Sequence, residues 1–350
     1  MNRIFRLRLS VSQSDNRKSK IQNRKWMGLF AIVVALTVCG ARVEAQQAGK
    51  VARLGFLDSS TASGMAGFVK VFRQDLSNLG WIEGKNIAIE YRFAEQKTER
   101  LPELAAELVR LKVDLIVVAG RAPAFAAKNA TTAIPIVMTN FPDPVGEGLV
   151  ASLARPGGNV TGNASLTAEL ASKRLEILKD AVPKLARVGV LRQAGNPVAS
   201  DRPVEDLRAA APVLKLKLEE IETEADAKGL ENAFRTAKQK QVGAIMTTGN
   251  RVFAERKRIV ELAAKYRLPA IYPQKEFVGE GGLMSYGTDN ADLYRRAAVY
   301  VDKILKGAKP ADLPVQQATK FEFVINLKAA KEIGLTIPVR VLERANQVIK

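Results

Sequence analysis

Residues 134–149 read IPIVMTNFPDPVGEGL, and residues 268–283 read LPAIYPQKEFVGEGGL. Each is a short apolar run that ends in a proline-marked polar loop, and both loops carry Val-Gly-Glu-Gly before a leucine. Two further echoes occur in the same order. ARLGFL at 52–57 is answered by ARVGVL at 186–191, and VDLIVVAG at 113–120 by VGAIMTTG at 242–249. A span of 134 residues separates Arg53 from Arg187 and Pro135 from Pro269, while the middle echo, at 129, is five short. Three ordered matches at nearly one offset indicate a duplicated unit.

Within each unit, β-branched runs alternate with segments whose apolar residues fall three and four apart. In the first unit VARLGFL, NIAIEYR, VDLIVVAG and IPIVMTN read as strands, with GFVKVFRQDLSNLG and RLPELAAELVRLK as helices and Gly80 placed to end the first of them. In the second, RVGVLRQ, LKLEEIE, GAIMTTG and PAIYP read as strands, with helices near 169–181, 201–211, 229–240 and 251–266. Such alternation predicts an α/β fold of two Rossmann-like lobes, each a parallel sheet covered by helices on both faces. The segments after the second unit (GGLMSYG, LYRRAAVYVDKILKG, KPADLPVQ, FEFVINLKAAKEIG) are too short for a third lobe. They predict a chain that recrosses near 158–165, 283–288 and 312–324, giving a multi-segment hinge. The expected division is 50–162 plus 284–314 for the N-terminal lobe and 163–283 plus 315–350 for the C-terminal lobe.

The 350 residues suffice for two such domains. The first 45 read differently. A stretch rich in Lys and Arg precedes WMGLFAIVVALTVC, an apolar run of 14 residues, short of the roughly 20 that span a bilayer. Val43 and Ala45 then supply the small residues of a cleavage site, so residues 1–45 are expected to be a signal peptide and the protein periplasmic. Cys39 raises lipid anchoring as a minor alternative, but Val38 stands before it where a lipidation motif wants a small residue. Nine Lys and Arg against Asp15 and Glu44 remove +7 of the net +18 with that segment, leaving about +11 dispersed over amphipathic segments. No aromatic-interleaved basic patch accompanies it, so nucleic acid is not an expected partner.

There is no histidine, and Cys39 is the single cysteine. Disulfides, Cys or His metal sites, Ser-His-Asp triads and thiol nucleophiles are thereby removed from the expected mature chain. No nucleotide loop survives inspection either. GWIEGKN at 80–86 lacks the spacing and hydroxyl residue of a phosphate loop, and no suitable strand precedes GEGG at 279–282. No cofactor is expected.

Open parallel sheets bind ligands outside the carboxyl ends of their strands. The loops there are DSST (58–61), GRAP (120–123) and NFPDP (140–144) in one lobe, and RQAGN (192–196), TGNR (248–251) and PQKEF (273–277) in the other. Facing lobes would bury a small ligand from both sides and close by hinge motion. The candidate ligand-binding residues are Ser59, Ser60, Gly120, Arg121, Asn140, Asp143, Asn196, Gly249, Asn250, Glu276 and Tyr286. Gly120 and Arg121 open a helix whose free N–H groups favour an anion such as a carboxylate, with Arg121 adding a charge-assisted bond. Asp58, Asp143 and Glu276 are candidates for a ligand ammonium. Against this stands the plain need of any α/β fold for Gly and Pro at its turns, and a solvated role for Arg121.

NLGWIEGKNIAIEYR (78–92), IPIVMTNFPDPVGEGLVASLARPGGNVTG (134–162), RLPAIYPQKEFVGEGGLMSYG (267–287) and YVDKILKGAKPADLPVQQATKFEFVINLKAAKEIGLTIP (300–338) together resemble the ABC transporter substrate-binding protein family that includes tryptophan-binding-protein-like members. The resemblance covers the whole expected mature chain. It implies a type I periplasmic-binding-protein fold and a non-catalytic receptor. Such a receptor captures an amino acid or similar small organic solute and docks, as a monomer, on a permease driven by its ATPase. Members often carry Gly-Thr where Gly120 and Arg121 stand and Asp where Gly249 or Asn250 stands, so the solute does not transfer with the family. A twin-lobed enzyme is the alternative. A racemase-like version needs a cysteine from each lobe, and a glycosyltransferase needs nucleotide sugars that an exported protein does not meet. A sugar-repressor-like sensor would need a helix-turn-helix where the signal segment stands.

Overall fold

The alternation of strand and helix is realised twice. The computed structural model describes residues 51–165, 169–193, 202–224, 226–248 and 255–350. The signal-peptide expectation for residues 1–45 and the lipidation alternative at Cys39 lie outside them. The first unit runs β1 (Ala52–Asp58), α1 (Ala62–Asn78), β2 (Ile87–Phe93), α2 (Leu101–Arg110), β3 (Leu115–Val118), α3 (Arg121–Ala130), β4 (Ile136–Phe141) and β5 (Val160–Ala164). The second runs α4 (Glu169–Ala181), β6 (Arg187–Gln193), α5 (Arg202–Val213), β7 (Lys217–Thr223), α6 (Ala227–Gln239), β8 (Ala244–Thr247), α7 (Arg256–Lys265), β9 (Ala270–Tyr272), α8 (Glu276–Gly279) and β10 (Met284–Thr288). The tail adds α9 (Asn290–Leu305), β11 (Gln316–Gln317), β12 (Phe321–Asn326), α10 (Leu327–Glu332), α11 (Val339–Leu342) and β13 (Gln347–Ile349).

Local chemistry sets the ends of α1. The Thr61 hydroxyl accepts from Gly64 N at 3.0 Å as the N-cap. At the other end Gly80, at φ 93°, donates to Ser77 O while Trp81 N donates to Leu76 O, the paired bonds of a left-handed glycine terminus.

The two sheets repeat one order. The first is β11-β5-β4-β3-β1-β2 and the second β13-β12-β10-β9-β8-β6-β7, so β2-β1-β3-β4-β5 corresponds to β7-β6-β8-β9-β10. All these neighbours pair parallel; β12 against β10 is the antiparallel exception. Alternation along each strand splits the core into two layers per lobe. Leu54, Phe56, Leu115 and Val117 face α1 and α9, whereas Leu57, Ile116, Val118 and Met138 face α2 and α3. In the second lobe Val188, Val190 and Met246 pack on α4 and α5, and Leu191, Ile245 and Tyr272 on α6 and α7. At roughly 1.5–3 kcal/mol for each fully buried large apolar side chain, these four layers stabilise both lobes without a covalent crosslink.

The chain passes between the sheets three times: from β5 to α4, from β10 to α9, and from β11 to β12. The second crossing comes later than expected. Residues 284–288 form β10 inside the second sheet, not the start of the N-terminal lobe, and the chain leaves after Thr288 to enter α9 on α1 and β4. Gln316 and Gln317 likewise belong to the first sheet, beside β5. Residues 51–350 form one compact unit.

Candidate functional site

The carboxyl ends of β1 and β4 and the start of α8 converge on one side chain, Tyr294 of α9. Asp58 ends β1 with 4% of its surface exposed, and its Oδ1 accepts from Ser60 N at 2.6 Å. Burial pushes this carboxyl up to about 7, the Ser60 bond opposing it. Glu276 opens α8 on the opposite lobe, and burial raises its carboxyl as well. Tyr294 is buried, and its phenol is raised first by that burial, then by Asp58 and more weakly by Glu276, while a hydrogen bond with Thr139 works the other way. Two acids from different lobes thus act on one hydroxyl.

Aromatic rings close the space around it. Phe68 of α1 stacks on Tyr294 with centroids 5.1 Å apart and planes at 12°. Across the cleft Tyr272 stacks on Phe277 at 4.5 Å and 6°. Phe68 packs against the layer of the second lobe that holds both rings, so the two lobes are in contact here.

Several buried polar atoms at these strand ends have no hydrogen-bond partner among the described residues: Asn163 Oδ1 on β5, Thr247 Oγ1 at the end of β8, and Ser285 Oγ and Thr288 Oγ1 on β10. Buried polar groups in folded proteins are nearly always satisfied, so each of these atoms is open to a further partner such as water or a solute. Asn163 Nδ2 is held by Leu293 O at 3.2 Å, which fixes the amide's direction.

The other candidates fall as follows. Ser59 and Ser60 use their carbonyls to anchor Gln96 N and Glu95 N. Gly120, at φ 80°, is the N-cap of α3 and offers no side chain, which leaves the first N–H groups of that helix uncapped by it. Arg121 is ion-paired with Glu147 and lies 5.9 Å from the Phe125 ring. Its guanidinium is thus engaged within its own lobe. Burial raises the Glu147 carboxyl and Arg121 opposes the shift. Asp143 accepts from Gly146 N at 2.9 Å, tightening its own loop, and Lys128 Nζ ties the same loop down through Gly148 O and Leu149 O at 2.8 Å. Asn140 Nδ2 donates to Asn290 Oδ1 at 3.2 Å, joining β4 to the start of α9. Tyr286 packs edge-on against Phe323, and its carbonyl accepts from the buried Arg174, whose guanidinium burial lowers to about 10. Asn196, Gly249 and Asn250 lie outside the described residues.

A family model for ABC transporter substrate-binding proteins matches residues 60–349, nearly all of both lobes. The chain belongs to that family. A tyrosine-binding protein of Clostridioides difficile strain R20291 is 30% identical over 275 residues, covering 77% of this chain and 76% of the relative. Among solved structures, a conserved domain protein from Vibrio cholerae O1 biovar El Tor is 29% identical with a TM-score of 0.79, over 85% of this chain and all of the other. The ABC domain of Streptococcus pneumoniae in complex with L-Trp is 28% identical with a TM-score of 0.76, over 85% and 99%. As an ABC transporter substrate-binding protein, the chain is an extracytoplasmic receptor that binds a small organic solute for import, with no chemistry of its own. No group of His, Cys, Asp or Glu among the described residues is arranged to hold a metal ion.

Asn163, Tyr294 and Phe68 were not among the sequence candidates. Tyr294 and Phe68 read as apolar positions of helices, and their convergence depends on how α1, α9 and the opposite lobe meet.

Proposed function

We propose that the interlobe cleft takes an amino acid or a similar small zwitterion, its ammonium between Asp58 and Glu276 and its carboxylate at the uncapped start of α3. The observation that carries this reading is a pair of carboxyls, one from each lobe and both raised by burial, that act on the one hydroxyl of Tyr294. Burial raises the proton affinity of each of these carboxyls, and an ammonium placed between them would supply donors for both. The N–H groups of Arg121 and Ala122 with the dipole of α3 suit a carboxylate. Asn163, Ser285 and Thr288 supply further donors and acceptors, with Ser59, Ser60 and Asn140 at the rim. The relatives described as tyrosine-binding and as an L-Trp complex support the amino-acid class.

In this reading residues 1–45 direct export, the receptor works in the periplasm as a monomer, and the closed form docks on a permease driven by its ATPase. A thermal-shift screen of the amino acids with their decarboxylated and deaminated analogues tests the site. A ligand at 100 times its dissociation constant stabilises by about 2.7 kcal/mol. Stabilisation by whole amino acids but by neither half-molecule supports the zwitterion. No response to any amino acid, or equal response to the deaminated acids, overturns it.

A further inference from the structure

A second recess lies on the first lobe, between its edge strand and α1. Strand β2 is the edge of its sheet, and Ile87, Ile89, Tyr91 and Phe93 alternate onto one face of it. Helix α1 covers only the inner flank of that face. Between them runs a groove of about 570 Å³, floored by these residues with Val69, Leu76 and Trp81. That volume lies in the range of small-molecule sites, about 300–1,000 Å³. Ile82, 39% exposed, extends the apolar surface at one end.

The polar groups come from three sides: Lys70, Arg73, Gln74 and Ser77 from α1, Glu83 from the loop that follows it, and Tyr91 from the floor. Tyr91 Oη is buried and has no hydrogen-bond partner among the described residues. Its phenol is raised by burial and then by Glu83, with Arg73 opposing, which sets both charged groups beside it. Arg73 Nε pairs with Glu83 Oε2 at 2.6 Å, and Lys70, one turn earlier on the same face of α1, forms no ion pair among the described residues. Two cations and one acid leave one positive charge in excess over an apolar floor, with a hydroxyl donor unspent.

From this we infer a second binding site, for a monoanionic amphiphile such as an alkyl or aryl carboxylate, its apolar body on β2 and its head among Lys70, Arg73 and the Tyr91 hydroxyl. Its apolar lining shares a layer with Tyr294 through Phe56, which packs on Tyr91, Phe93 and Tyr294, but its polar groups Lys70, Arg73, Glu83 and Tyr91 are distinct from those around Tyr294.

Trp81 reports on the groove directly, since its ring lines the floor and its Nε1 donates to Asp302 at 3.0 Å. The test uses the full chain carrying Trp26→Phe, which leaves Trp81 as the single tryptophan. Sodium octanoate below its micellar concentration is titrated against octylammonium while Trp81 emission is followed. Octanoate is expected to shift the emission saturably and to bind about tenfold tighter than octylammonium, as one charge-assisted bond provides. Lys70→Ala with Tyr91→Phe should erase that preference. Ala66→Phe, at an exposed position of α1 on the groove wall, should abolish the response while thermal unfolding stays cooperative. No saturable shift, equal affinity for the two head groups, or an unaltered response in Ala66→Phe overturns the site.

Discussion

Replacing Asp58 with Asn should stabilise the solute-free receptor at neutral and alkaline pH, although it removes a charge from a binding site. The Asp58 carboxyl goes from an ordinary 3.8 to about 7 on folding because it is almost wholly buried with one backbone donor. Between those values the folded state holds a proton that the unfolded state has released, so stability falls as pH rises through the interval and is flat above it. Some three pKa units at 1.36 kcal/mol each make the cost of burying the ionised group about 4 kcal/mol above pH 7. Asn keeps the Oδ1 acceptor for Ser60 N and carries no charge, so the cost disappears. For a chain of this size about 4 kcal/mol corresponds to a rise of roughly 8 °C in Tm. Differential scanning calorimetry of both proteins from pH 4 to pH 9, without solute, measures it. The wild-type Tm should fall across the interval and the variant Tm should fall less, with the gap widest above pH 7. A variant that follows the wild-type curve, or is less stable at pH 8, refutes the claim that Asp58 is buried at a cost only a cation relieves.

The same charge makes capture pH-dependent. Amino-acid affinity measured by calorimetry should rise as Asp58 ionises and level off above about pH 7, and the rise should be smaller in Asp58→Asn, where Glu276 alone titrates against the ammonium. Glu276→Gln removes the partner acid from the other lobe and should weaken binding by about 10- to 100-fold, the loss of one or two charge-assisted bonds, without lowering Tm. Phe68→Ala removes the ring that joins Tyr294 to the second lobe; a loss of about 2 kcal/mol in urea unfolding and a larger solute-free radius in small-angle scattering are expected. Gly162 has φ 129°, and a Cβ there would stand 2.1 Å from Met138 O, so Gly162→Ala should cost at least about 3 kcal/mol, read as the urea midpoint.

The duplicated stretches led to the fold because both features that define it are local. A β-branched run fixes a strand, a 3–4 apolar spacing fixes a helix, and their alternation leaves few topologies. β10 escaped because GGLMSYG has glycines where a strand has side chains. The reason is contact: a Cβ on Gly287 would stand 1.8 Å from Pro273 O, so the strand lies too close to its neighbour to carry one. β13 escaped because three residues at a sheet edge leave no periodicity to read.

At the site, Asp58 and Glu276 were legible as acids at strand ends. Arg121 and Asp143 were legible as loop residues, but their partners were not. Asp143 closes on Gly146 and Arg121 on Glu147, both within the stretch NFPDPVGEGL, which spends much of its polarity on its own rigidity. That is why a buried strand ends in so many prolines and glycines here. Tyr294 and Phe68 carry no sequence mark, since an aromatic ring at helical spacing has the same pattern whether it faces a core or a cleft.

A crystal structure of the receptor with the tightest amino acid from the thermal-shift screen shows whether the two acids hold the ammonium. The solute is expected between the lobes, its nitrogen within hydrogen-bond distance of both the Asp58 and Glu276 carboxylates and its carboxylate at the start of α3. A solute that leaves the two acids untouched, or turns its carboxylate toward them, contradicts this placement.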